Sequence, residues 1–169
     1  MAVLPCRLSG ADRQRVPNTR LKGHKMQRLI IALLASVVFA APVSAQEKPN
    51  LVTIVTSPEP QTQLMAMVLT MQAAAQGASP HILLCGPGGD IALKEAPVSA
   101  TSGQPPKGMS PQGLMQTIRE KAGATVEVCA IYLPGKGLDP SALLDGITVA
   151  KPPEMAGRLI APGTTVLSF

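Results

Sequence analysis

Ala124-Thr-Val-Glu-Val-Cys129-Ala-Ile-Tyr-Leu-Pro-Gly-Lys-Gly-Leu138 runs an apolar, β-branched segment straight into a glycine-bounded loop, with a cysteine at the junction. Thr125, Glu127 and Cys129 alternate with Val126 and Val128, the two-residue period of a strand. In an open α/β sheet, ligands and reactive groups collect beyond the carboxyl ends of the strands. A thiol at this boundary therefore stands where such a fold does chemistry.

Strand and helix signals alternate on both sides of this stretch. Residues 51–56, Leu-Val-Thr-Ile-Val-Thr between Pro49-Asn50 and Ser57-Pro58, read as a buried first strand. Apolar residues then recur at Leu64, Met67, Val68, Met71, Ala74 and Ala75, helical spacing that stops at Gly77. Residues 80–85 form the second strand, and Asp90 caps a short helix over 91–96. Residues 97–108, rich in Ser, Thr, Gly and Pro, read as a loop able to fold over the site or a neighbouring subunit. Ser110-Pro111 opens a helix that buries Leu114, Met115, Ile118 and Ala122 and ends at Gly123. The third strand covers 125–129. A short helix over 139–144, a fourth strand over 146–150, a helix from Pro152 and a fifth strand over 164–169 follow. Crossovers of this length predict a mainly parallel five-stranded sheet covered on both faces.

The first 45 residues stand apart from this pattern. Residues 1–25 are basic and carry no apolar period. Residues 26–45 have a signal-peptide layout: basic Met26-Gln-Arg, an apolar run over 29–41, and small residues at Val43-Ser-Ala45. Cleavage before Gln46 leaves one domain, 46–169, in the periplasm or otherwise exported. The apolar run is too short for a spanning helix, so no stable membrane insertion is expected after cleavage. Seven basic residues and one acidic residue precede Gln46; eight basic and nine acidic residues follow it. The sequence pI near 9.4 thus belongs to the export segment and gives no support for nucleic-acid binding. Tyr132 and Phe169 are the aromatic residues of 46–169, too few for base stacking.

The residue inventory excludes several chemistries. Within 46–169, one histidine, two cysteines and no acidic cluster at ligand spacing imply neither a metal nor another cofactor. Gly86-Pro-Gly-Gly-Asp90 matches neither the dinucleotide fingerprint nor the P-loop, and no nucleophile elbow accompanies His81. His81, at a strand start, reads as structural; Met65, Met67 and Met71 read as packing residues. Cys85 and Cys129 are too few for a disulfide scaffold. Both end strands, however, and neighbouring parallel strands lie about 4.8 Å apart. If the second and third strands are adjacent, the two sulfurs come within reach of one another.

The order strand, helix, strand with a glycine loop, helix, then Gly123-Ala-Thr-Val-Glu-Val-Cys129 through Gly137-Leu138, resembles the DsrE/DsrF/DsrH-like sulfur-relay family. Leu144-Asp-Gly146-Ile147 and Thr165-Val-Leu-Ser-Phe169 extend the resemblance over roughly residues 50–169. It implies a three-layer α/β/α sandwich, assembly as a homo-oligomer, and exchange with a sulfur donor or acceptor protein. It also implies a sulfurtransferase-type role in which the thiol matching Cys129 carries sulfur as a persulfide. The family usually offers no thiol matching Cys85, which reads first as structural and otherwise as a resolving thiol or disulfide partner. A thiolate is the nucleophile in such chemistry, and Lys136 on the following loop is a cation that would stabilise it. Glu127, two residues back at roughly 6.6 Å along a strand, acts against it. The rival expectation is a non-catalytic oligomeric binding or assembly subunit with structural cysteines. A dithiol redox protein ranks below both, because no Cys-x-x-Cys is present.

Overall fold

The uncharged run that follows Asn50 forms the strand around which the sheet is laid out. The computed structural model describes residues 48–169, so the readings of 1–25 and 26–45 fall outside the described residues. Strand β1, Asn50–Val55, buries Leu51, Val52, Thr53 and Val55, and pairs in parallel with β2, Ser79–Leu84, on one side and β5, Thr164–Ser168, on the other. Strand β3, Thr125–Val128, pairs with β2, and the two-residue β4, Thr148–Val149, pairs with β3. The sheet is five-stranded, all parallel, in the order β4-β3-β2-β1-β5. Central strands of such a sheet are covered on both faces, which is why β1 and β2 read as nearly continuous apolar runs.

The first face carries most of the core. Helix α1, Pro60–Ala75, and helix α3, Pro111–Ala122, bury Leu64, Ala66, Met67, Leu114, Met115 and Ile118 in one cluster with Val55, Ile82, Leu84, Val126 and Val128. Helix α3 has the expected ends: the Ser110 hydroxyl accepts from the Gly113 N–H at 3.1 Å, and Gly123 closes it in the left-handed region at φ 66°. A buried hydroxyl pair fastens α1 to the sheet. Thr70 donates to the Ala66 carbonyl, so Thr53 supplies the proton for the 2.7 Å Thr53–Thr70 bond. The second face is thinner: helix α5, Pro152–Leu159, packs Met155 with Val52, Leu83 and Ala150.

Several expected boundaries change. The 91–96 helix is absent; a 3-10 helix spans Gly86–Ala92, and Asp90 lies within it. The 97–108 loop contains a helical turn, α2, Val98–Thr101, and closes on itself through the Gln104–Met109 bridge. It folds beside α1, and Gln104, Pro105 and Pro106 line a groove there with Leu64 and Met65. Tyr132–Lys136, read as loop, is a helical turn, α4, ended by Gly137 at φ 66°. Pro134 is tolerated because its missing N–H falls among the unpaired donors of the first turn. The 139–144 helix is a 3-10 turn, Pro140–Ala142, and the fourth strand keeps two of five expected residues. Cys85 and Cys129 lie one residue past their strands. Their N–H groups nonetheless extend the ladders, to Val55 O at 2.9 Å and Leu84 O at 2.8 Å.

Candidate functional site

The register of β2 and β3 decides where the cysteines go. Leu84 pairs with Val128, so the next residues, Cys85 and Cys129, stand side by side at the carboxyl edge. Their Cα atoms are 5.1 Å apart, inside the range a disulfide needs, and the two sulfurs are bonded. Both residues are half-buried and pack with Val52, Leu83, Ala150 and Met155 on the second face.

Topology adds meaning to this position. The connections after β1, β2 and β3 run over the first face, where Tyr132, Leu133 and Leu143 join the main core; the connection after β4 is α5 on the second face. The crossover direction thus reverses between the adjacent strands β3 and β4. The crevice beyond their carboxyl ends is the usual ligand position of an open α/β sheet, and Cys129 sits at its edge.

A polar tie joins the two segments that follow the cysteines. The Tyr132 hydroxyl donates to Asp90 Oδ1 at 2.7 Å, the Lys136 ammonium pairs with the same oxygen, and that ammonium lies 5.7 Å from the centre of the Tyr132 ring. Burial, followed by the Asp90 bond and charge, pushes the Tyr132 phenol far above its usual value, so it remains a proton donor. The glycines between Cys85 and Asp90 serve this packing. A Cβ on Gly88 would run into the Val55 carbonyl, and one on Gly89 would enter the Tyr132 ring. Asp90, read from sequence as a helix cap, is instead the acceptor of the tie. Lys136 sits with Asp90 and Tyr132.

Glu127 is also engaged. Its Oε2 lies 2.9 Å from His81 Nε2, and its Oε1 accepts from Thr148 at 3.5 Å. His81 is buried, and burial together with the Arg158 cation lowers its pKa against the opposing pull of Glu127. His81 pairs in register with Thr125, in the amino-terminal half of β2, while Glu127 lies two residues before Cys129 on β3 and reaches back to His81. Sequence reasoning missed Tyr132 and Arg158. The only signal for Tyr132 was its rarity, since its partner is 42 residues away.

Among the described residues no group of three or more His, Cys, Asp or Glu side chains is arranged to hold a metal, and no helix is long and apolar enough to cross a membrane. The sheet order defines a small all-parallel α/β domain. Two solved structures share that fold. YchN from E. coli superposes with a TM-score of 0.56 at 16% identity, covering 72% of this chain and 99% of its own. MTH1491 from Methanobacterium thermoautotrophicum, a protein of unknown function, gives 0.54 at 14% identity, covering 71% and 98%. No family model and no curated protein matches the sequence.

Proposed function

We propose that this chain is an exported sulfur-handling protein that carries sulfur as a persulfide on Cys129, with Cys85 as its resolving partner. The observation that carries the reading is the joining of Cys85 and Cys129 at the carboxyl edge, beside the reversal of the sheet. In the loading step the Cys129 thiolate attacks the outer sulfur of a donor persulfide, R–S–SH. It becomes Cys129–S–SH and releases R–S⁻. An acceptor thiolate that attacks the same outer sulfur takes it away and restores the Cys129 thiolate. If Cys85 attacks the inner sulfur instead, hydrosulfide leaves and the Cys85–Cys129 disulfide forms. The disulfide is then the discharged, oxidised form, and an external dithiol returns it to the thiol state. Lys136 would assist the thiolate only by exchanging Asp90 for it.

The test is intact mass after dithiol reduction, desalting and incubation with a persulfide donor. Cys85→Ser should gain one sulfur atom and keep it. The parent should gain it transiently, release hydrosulfide and end as disulfide, and Cys129→Ser should gain far less sulfur than Cys85→Ser. Equal gain by Cys129→Ser, or no gain by any form, refutes the reading. A second reading, a non-catalytic oligomeric binding subunit with a structural disulfide, draws support from the engagement of Lys136 with Asp90. It predicts no sulfur uptake.

A further inference from the structure

Helix α1 has no charged residue among its sixteen, although one side of it is at the surface. Surface helices ordinarily turn charge outward, and a helix apolar all round is ordinarily covered. Here Met65 is 51% exposed and Leu69 42% exposed. Beside α1 stands the segment closed by the Gln104 N–H to Met109 carbonyl bond at 2.8 Å. Between them lies a groove of about 560 Å³, the size of a small-molecule site, walled by Met65, Val68, Met71, Met109 and Leu114. One charged side chain lines it. That residue, Lys107, is exposed and has no acidic partner among the described residues.

We propose that this groove binds a single-chain amphiphile with an anionic head, such as a fatty-acid carboxylate, its chain along the methionine wall and its head at Lys107. Three thioether side chains from two segments give a wall that adapts to a flexible chain, because methionine is unbranched and polarisable. The lone cation selects the sign of the head group. Burial of the chain supplies most of the affinity, and the exposed charge supplies discrimination. The site is independent of the sulfur chemistry, since neither cysteine lines it.

The test uses the full chain labelled with methyl-¹³C methionine and titrated with sodium laurate below its micelle concentration. Dodecyltrimethylammonium serves as the probe of equal chain length and opposite charge. Expected are saturable shifts at Met65, Met71 and Met109, with the Met155 methyl on the second face unmoved, and tighter binding of laurate than of the cation. Lys107→Glu, a change at an exposed position, should weaken laurate roughly five- to tenfold and reverse the head-group preference. The proposal is overturned by absence of saturable shifts or by equal movement of Met155, which would mark general surfactant action. Unchanged laurate affinity in Lys107→Glu overturns it too. So do groove-methyl shifts that track protein concentration and that laurate does not displace, which would make a second copy the occupant.

Discussion

Breaking the Cys85–Cys129 bond should cost this domain a large part of its stability. The bond closes a loop of 44 residues. In the chain-entropy model a loop of that length removes about 13 cal/mol/K from the unfolded ensemble, or about 4 kcal/mol at 25 °C. The native side of the balance changes little, because both cysteine N–H groups are held by neighbouring backbone and the Asp90–Tyr132–Lys136 tie connects the same segments without the sulfurs. For a domain of this size, 4 kcal/mol corresponds to roughly 12–16 °C in Tm. Urea and thermal unfolding of the oxidised protein, the dithiol-reduced protein and Cys85→Ser/Cys129→Ser should give one high and two similar low stabilities, with the native far-UV spectrum retained in all three. A difference below about 1 kcal/mol between oxidised and reduced forms would refute the reasoning, since the loop would then be closed equally well without the bond.

Three further outcomes follow from the same geometry. Tyr132→Phe removes a buried donor from Asp90, which keeps Lys136, so urea unfolding should show a loss of about 1–2 kcal/mol; Lys136→Met in that background should cost less than it does alone. Gly89→Ala sets a methyl group against the Tyr132 ring and should destabilise by about 1–3 kcal/mol, relieved in part by Tyr132→Leu. His81 has a folded pKa below 6.5, so the unfolded chain takes up a proton that the folded chain resists. Stability should therefore fall as pH drops below about 6.5, by at most about 1.4 kcal/mol per pH unit, and His81→Gln should flatten that part of the profile.

The first face was legible because its residues repeat with helix and strand periods. Leu64, Met67, Leu114, Met115 and Ile118 lie inside as the spacing requires, and Ser110 and Gly123 mark the ends of α3. The carboxyl edge was legible in position only. That Cys129 ends a strand follows from alternation, but its meeting with Cys85 depends on which strands are neighbours, a choice made by crossovers and not by local pattern. The turn α4 was hidden by Pro134-Gly135, residues that signal a break unless they fall in a first turn and near a helix end. Gly86-Pro-Gly-Gly-Asp90 matched no phosphate-binding pattern, and the role of two of its glycines was out of reach: Gly88 is approached by Val55, and Gly89 by the ring of Tyr132, 43 residues on. The partners of Glu127 and Lys136 were likewise out of reach, because His81 and Asp90 come from other segments. Charges that sequence assigned to the thiol are spent on tying the fold.

Site-mapped persulfide trapping tests the central claim most directly. Reduced Cys85→Ser protein is exposed to a persulfide donor, capped with an alkylating agent and digested, and the peptide containing Cys129 is weighed. The account predicts one additional sulfur between Cys129 and the cap, lost on treatment with a dithiol. A Cys129 peptide carrying the cap alone, from protein whose thiol is shown to alkylate freely, would contradict it.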